Sequence, residues 1–292
     1  MQDLIEQMLQ ESAGAPAHAL LASKELFIFD MDGTIYLGGT PFPFAVRFIH
    51  DLRANGKRVL FFTNNASHSK TFYYDRLTRM GFDPLAGELM TSGDVTAAFL
   101  NRRRAGKSVY LLGTPELWDE FTGAGIPLRN DRRGVFDGGA RPDIVVTSFD
   151  TTLTYEKLTN ACTFIREGAE YLSTHPDFNC PTETGFIPDS GAIAAAVTAS
   201  TGVRPTYFGK PYPETVEMIG EMTGVSREAT CLFGDRLYTD IATGKRHGIT
   251  SILVLTGETT KKDVVAASPE ERPDMLFPSL AEVDALLFGS KG

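Results

Sequence analysis

Residues 26–34, Leu26-Phe27-Ile28-Phe29-Asp30-Met31-Asp32-Gly33-Thr34, decide the fold. Four consecutive large apolar residues read as a strand of the buried type, and the chain leaves it through two carboxylates and a glycine. Downstream, Phe44, Phe48 and Leu52 recur at helical spacing over Phe44–Arg53, and Gly56 lies just past the end. A second buried-type strand follows, Arg58–Phe62. Ser67 is the expected cap of the next helix, which carries Tyr73, Leu77 and Met80 and stops at Gly81. This is the strand–helix–strand rhythm of a parallel sheet covered by helices.

The rhythm continues to the far end of the chain. Lys107–Leu112, Ile144–Thr147, Tyr171–Ser173, Thr206–Phe208, Thr230–Phe233 and Ser251–Leu255 read as strands, the last being the final one expected. Helices are expected from Pro115, over Thr154–Glu167, Ala192–Ser200, Pro213–Met222 and Asp240–His247. Gly123–Gly139 reads as a turn-filled stretch, and no internal repeat or low-complexity tract is present. The opening MQDLIEQMLQES lacks the basic start of a secretory signal and suits a short amphipathic helix, after which Ala13–Ala22 lead into the first strand.

Bulk properties narrow the class. The chain has 292 residues, 42% apolar and 22% charged, values ordinary for a soluble globular protein. A net charge of −9 argues against a nucleic-acid partner. The run Arg102-Arg103-Arg104 falls where a helix should end and suits the negative end of its dipole. Cys162, Cys180 and Cys231 are odd in number and widely spaced, which favours neither a disulfide framework nor a zinc site and fits a reducing cytoplasm. No apolar run approaches the length of a membrane span.

Several strands run directly into polar residues with chemistry. The first meets Asp30 and Asp32, the second Thr63-Asn64-Asn65, another Gly209-Lys210-Pro211, and another Gly234-Asp235 with Asp240 five residues on. Open parallel sheets bind ligands at the carboxyl ends of their strands, so four such ends suit one site. Asp30 and Asp32 would point opposite ways on an extended exit, and a turn at Asp32-Gly33 brings both toward one ligand. One carboxylate then suits attack on phosphorus and the other proton transfer. A plain Asp-Gly turn is the bland alternative. A calcium loop is excluded, because its required glycine and glutamate positions hold Ile35 and Pro41. Thr63 and Asn64 offer donors to phosphate oxygens, although Thr-Asn-Asn after a strand is also an ordinary turn. Lys210 can neutralise a phosphoryl oxygen, and otherwise is a surface lysine. Asp235 and Asp240, with Asp30, suit a magnesium ion, which prefers oxygen ligands.

Taken in order, DMDGT, TNN, GKP and GDRLYTD resemble the four motifs of the haloacid dehalogenase superfamily. The strings DMDGTIYLGG and GDRLYTDI resemble its branch of 4-nitrophenylphosphatase-like, phosphoglycolate, pyridoxal-phosphate, ribonucleotide and sugar phosphatases. The resemblance runs from Glu25 to about Leu255. It implies a Rossmann-like, doubly wound parallel-sheet core over residues 1–104 and 208–292, with an inserted α/β cap at 105–207. By position, it makes Asp30 the nucleophile. It makes Asp32 the general acid and base, with its backbone carbonyl on the metal. Thr63, Asn64, Asn65 and Lys210 become phosphate-binding. Asp235 becomes a direct magnesium ligand, and Asp240 a ligand through water. In the cap, Asp150, His175, Asp177 and Asn179 are the expected readers of the leaving group, and the cap is the surface through which a homo-oligomer would form. The expected partner is a small phosphorylated metabolite, with neither nucleic acid nor membrane involved.

Alternatives share parts of this constellation. A phosphotransferase or phosphomutase uses the same intermediate and needs a second acceptor. A dehalogenase has no need for the acid that Asp32 supplies. A signalling receiver is shorter and lacks an acid two residues after its phosphorylated aspartate. A binding protein without activity would normally have lost a motif residue.

Overall fold

The structure is a computed structural model that describes residues 2–182 and 185–289. In chain order its first elements are α1 (Gln2–Ser12), α2 (Ala15–Ala22), β1 (Leu26–Phe29), β2 (Tyr36–Leu37), β3 (Thr40–Pro41), α3 (Pro43–Ala54), β4 (Arg58–Thr63), α4 (Lys70–Arg79), β5 (Leu89–Thr91) and α5 (Ser92–Arg103). Then come β6 (Val109–Leu112), α6 (Pro115–Gly123), β7 (Ile144–Thr147), α7 (Tyr155–Arg166), β8 (Glu170–Ser173), β9 (Asn179–Thr182), β10 (Gly185–Pro188), α8 (Ser190–Thr201) and β11 (Thr206–Tyr207). The last are α9 (Pro213–Thr223), β12 (Thr230–Gly234), α10 (Ala242–His247), β13 (Thr250–Val254), α11 (Lys261–Ala266), β14 (Met275–Phe277) and α12 (Leu280–Phe288). A π-helical turn, Leu237–Ile241, joins β12 to α10.

Two compact units divide the chain. The first holds residues 1–62, 74–90 and 219–292, the second residues 63–73 and 91–218. A six-stranded sheet in the order β14-β13-β12-β1-β4-β5 forms the frame of the first. Strands β14 through β4 pair in parallel, with Phe29 level with Phe61 on one side and Phe233 on the other. The LFIF run is buried throughout. Phe29 and Phe233 stack with ring centroids 4.8 Å apart, and Phe48 from α3 meets both rings edge-on. Each such side chain contributes roughly 1.5–3 kcal/mol through burial.

The expected Asp240–His247 helix proves to be two elements, the π turn and α10. β14 is a strand beyond the last one expected, and it receives α1. Ile5 of α1 is buried with Leu253, Leu276, Val264 and Ile241, and Ser12 Oγ accepts the backbone N–H of Leu276 at 2.8 Å. Residues 15–22 are helical rather than a plain lead-in to β1. The cap of α4 is Ser69, whose Oγ accepts from the Phe72 N–H at 3.2 Å; Ser67 instead donates to Asn65.

The second unit carries its own four-stranded sheet, ordered β11-β8-β7-β6 and parallel throughout. All four strands fall within the segment expected as a cap. Tyr110, Val145, Phe164, Ile165 and Tyr171 form its core with Ile193 and Val197 of α8. Thr154 caps α7 and Asp189 caps α8. β9 and β10 form an antiparallel hairpin, exposed on nearly every residue, that the sequence reading does not contain. Arg102 and Arg103 occupy the last turn of α5, as expected. The three cysteines are free, with Cys162 and Cys231 buried. No helix among the described residues is long and apolar enough to cross a membrane.

Candidate active site

In the first unit, the level ends of β1 and β12 deliver an acidic cluster. The Asp30 N–H donates to the Phe233 carbonyl at 2.9 Å, which fixes the exit of β1 against β12. One carboxylate oxygen from each of Asp30, Asp235 and Asp240 lies within 4.8 Å of the others. Asp235 is 2% exposed and Asp240 0%, while Asp30 is half-buried. The π turn places Asp240, whose Oδ2 accepts the Arg236 N–H at 3.1 Å. Gly33 sits at φ +83°, and a Cβ there would run into the Asp235 carboxylate, so the turn after β1 closes over this side chain only as glycine.

Asp235 is the strained member of the cluster. Its Oδ2 accepts the Glu258 N–H at 2.6 Å, but its Oδ1 is buried without a hydrogen-bond partner among the described residues. Burial, then the Asp30 and Asp240 charges, push its carboxyl up to about 7. Three converging carboxylate oxygens and one orphaned lone-pair site form a donor set for a small, hard, oxygen-seeking cation. Arg236 is the nearby positive group. Burial opposes its charge, yet Asp30, Tyr238, Asp235 and Asp240 hold it more firmly protonated than usual, and its Nε stands 3.0 Å from Glu258 Oε2. Neither Arg236 nor Glu258 was singled out from the sequence. Glu258 follows β13 through Thr256-Gly257, so the strand-end rule that found the other residues applies to it as well.

Asp32 lies in a tight turn. The N–H groups of Thr34 and Ile35 both reach the Met31 carbonyl, so the chain winds from Met31 rather than bending only at Asp32-Gly33. Its Oδ1 accepts the Gly38 N–H at 3.2 Å, from the tip of the β2–β3 hairpin.

The second unit gathers Thr63, Asn64, Asn65 and Lys210. Asn64 is 7% exposed, and its carboxamide makes three hydrogen bonds. Oδ1 accepts the Lys210 N–H at 2.7 Å, and Nδ2 donates to the Lys210 carbonyl and to Asp177 Oδ2, both at 3.1 Å. Two N–H donors on Nδ2 and two acceptors close the account for that nitrogen. The Asn64 amide therefore places Lys210 and is not spare for a phosphate oxygen. Asn65 is a turn former, with Oδ1 accepting from the backbone and hydroxyl of Ser67. The Thr63 hydroxyl accepts the Asn65 N–H at 3.2 Å and keeps its own proton to donate. Gly209 has φ +76°, and a Cβ there would stand 2.8 Å from both Asn64 Oδ1 and His175 Cβ, so this approach also needs glycine.

The four expected specificity residues have different surroundings. Asp150 is buried, with Oδ2 2.8 Å from the buried Lys157 Nζ and Oδ1 accepting from Thr152. His175 is wholly buried. Its Nε2 lies 2.8 Å from Asp189 Oδ1, and its Nδ1 faces Thr174 Oγ1 at 2.9 Å and Ser92 Oγ at 3.3 Å. Burial alone would lower its pKa, but Asp189, and beyond it Asp177, hold it above the ordinary value. Both side chains are thus interior parts of the unit rather than surface contacts. Asp177 is half-buried against Asn64, and Asn179 alone is exposed, at the start of β9.

Comparison with known proteins finds matches along most of the chain. A model described as "Haloacid dehalogenase-like hydrolase" matches residues 27–127, and a second, HAD-hydrolase-like model matches residues 207–283. The acid sugar phosphatase of Staphylococcus aureus (strain MRSA252) is 36% identical over 238 residues, 82% of this chain and 89% of its own. Among solved structures, 4-nitrophenylphosphatase from Thermotoga maritima is 43% identical with a TM-score of 0.84, over 92% of this chain and 99% of its own. Glycerol phosphate phosphatase from Mycobacterium tuberculosis, solved with magnesium, is 31% identical with a TM-score of 0.80, over 90% of this chain and 77% of its own.

Proposed function

Because this chain belongs to the haloacid dehalogenase-like hydrolase family, we propose that it is a magnesium-dependent phosphatase acting on small phosphomonoesters through a phospho-aspartyl intermediate on Asp30. The observation that carries the reading is the Asp30–Asp235–Asp240 cluster with its orphaned Asp235 oxygen, a donor set matched to magnesium. When bound, magnesium offsets the repulsion between these carboxylates and an incoming phosphate dianion.

The residues divide the chemistry. An Asp30 oxygen attacks phosphorus, and the ester P–O bond breaks as Asp32 gives its proton to the leaving oxygen. Asp32, now ionised, takes a proton from water, whose oxygen attacks the same phosphorus. The bond from phosphorus to Asp30 breaks, inorganic phosphate leaves, and both carboxyl groups return to their starting states. The Thr63 hydroxyl donates to a phosphoryl oxygen, and the Lys210 ammonium compensates its charge. Asn64 serves by fixing the Lys210 backbone, and Asp240 by orienting the cation's environment. The names of the relatives point to sugar phosphates, glycerol phosphate and 4-nitrophenyl phosphate as the substrates to try first. Turnover of 4-nitrophenyl phosphate with magnesium, its loss in chelator, and acid-stable trapping of label on wild type but not on Asp30→Asn test the reading. Full turnover in excess chelator would sink it.

A further inference from the structure

We infer that Arg76, on α4, is a positioning residue for Asp32, acting through the tip of the β2–β3 hairpin. The inference rests on the reading of Asp32 as the general acid and base.

The hairpin is minimal. Its register is two pairs, Tyr36 with Pro41 and Leu37 with Thr40, and a two-stranded ribbon of this length has little stability of its own. Its turn is Gly38-Gly39. A Cβ built on either glycine would meet nothing within 4 Å, and Leu37 beside them is 57% exposed. The tip is therefore held by few neighbours. Arg76 is one, and it grips in two places. Its Nη2 donates to the Gly38 carbonyl at 2.5 Å, and its guanidinium carbon stands 4.7 Å from the centroid of the buried Tyr36 ring. The residue whose carbonyl it holds is the one whose N–H reaches Asp32 Oδ1. Tyr36 closes the same circuit, because its carbonyl accepts the Gly33 N–H at 2.8 Å and it bridges Asp32.

A proton donor must meet the leaving oxygen at a defined angle and distance. The Gly38 N–H fixes one oxygen of Asp32 and so aims the other. Glycine at φ +55° with empty surroundings does not hold that N–H in place alone. The guanidinium supplies what the turn lacks. Arg76 touches no reacting atom, and its effect is confined to how well Asp32 is aimed.

Leaving-group dependence separates this role from a general structural one. A nitrophenolate departs with little help from an acid, whereas an alkoxide needs the proton. Measure kcat/KM for 4-nitrophenyl phosphate and for glycerol phosphate on wild type, Asp32→Asn, Arg76→Ala, Arg76→Gln and Arg76→Lys, with the folded state of each checked by circular dichroism. Asp32→Asn should lower glycerol phosphate turnover far more than nitrophenyl turnover. Arg76→Ala should shift the ratio the same way, by about tenfold, within the ~10²–10⁴-fold reach of a general acid. Arg76→Lys, which can still donate to the Gly38 carbonyl, should recover part of the ratio, and Arg76→Gln should fall between. If Asp32→Asn shifts the ratio while Arg76→Ala and Arg76→Gln scale both substrates equally, the inference is overturned and the acid assignment stands. If Asp32→Asn also scales both equally, the acid assignment falls and the inference falls with it.

Discussion

Both backbone groups of Lys210 are held by the one carboxamide of Asn64, the N–H at 2.7 Å and the carbonyl at 3.1 Å. The two residues are 146 positions apart, and the contact sets where the lysine side chain begins.

Loss of that clamp should appear as poorer phosphate binding and slower chemistry together. Misplacing a catalytic charge by about 1 Å can cost ~10²-fold. Asn64→Ala is expected to lower kcat/KM by about tenfold to a hundredfold on every substrate. Asn64→Asp should do worse, because it adds a negative charge beside Asp177. Steady-state kinetics on two esters checks this; an effect confined to one ester would contradict it.

Asp30→Asn should abolish turnover with the fold intact. The amide is close in shape to the carboxylate but a poor nucleophile, and the Asp30 backbone bond to Phe233 does not involve the side chain. The expected result is a native circular dichroism spectrum with turnover at the background rate. Retained hydrolysis by the purified variant would remove Asp30 from the mechanism.

The crowding of Asp235 sets a pH dependence. Burial, then Asp30 and Asp240, raise its carboxyl from 3.8 to about 7. The folded, metal-free chain therefore binds that proton more tightly than the unfolded chain. Its contribution to stability falls as pH rises from 3.8 toward about 7, and above that the repulsion is fully developed. Magnesium should relieve the repulsion, so the Tm gain on adding magnesium should be larger near about pH 8 than near about pH 5.5. Asp235→Asn should remove most of the difference. Thermal melts in chelator and in magnesium at the two pH values provide the check, and a gain that ignores pH would contradict it.

Lys157 and Asp150 form a buried ion pair, 2.8 Å apart with side chains 2% and 0% exposed. Lys157→Met leaves a carboxylate in the interior without its counter-charge, at a cost of about 3–5 kcal/mol. Removing both charges, as in Lys157→Met with Asp150→Leu, should recover much of the loss. Urea unfolding of the three chains tests this, and a single variant as stable as the wild type would show the pair to be dispensable.

Substrate discrimination should follow exposure. Asn179 is exposed, so Asn179→Ala should change kcat/KM unequally between 4-nitrophenyl phosphate and a polar ester. His175 is wholly buried, and His175→Ala should lower stability and scale both substrates alike. A panel of esters run on both variants decides it; equal scaling by Asn179→Ala would take that residue out of leaving-group recognition.

Much of the frame was legible because several strands carry two signals at once. LFIF and RVLFF are apolar enough to be buried, and each is followed at once by residues whose chemistry needs a strand end. Elements with one weak signal were not legible. β14 is three residues long, and β9 and β10 each contain a proline and no alternation of apolar and polar positions. Asp150 and His175 were visible as polar residues after strands, but their partners were not. Lys157 lies a helical turn into α7, and Asp189 caps α8 beyond an exposed hairpin. Burial of this sort depends on packing between elements, which periodicity within one element does not record. Asn64 likewise reads as a phosphate donor until Lys210 and Asp177 are seen to occupy its amide.

The bond from Leu276 N–H to Ser12 Oγ also bears on how the molecule behaves in a crowded solution. β14 ends the six-stranded sheet, and the outer rim of a sheet is a template on which another chain can add a strand. Here α1 packs against the end of the sheet, and the Ser12 hydroxyl occupies a donor that a foreign strand would otherwise use. The end of α1 thus guards this position of the rim against strand addition. A version beginning near Glu25 would keep the residues assigned to chemistry and leave the Leu276 N–H open, so association through the sheet edge becomes a route of failure open to it and closed to the longer chain.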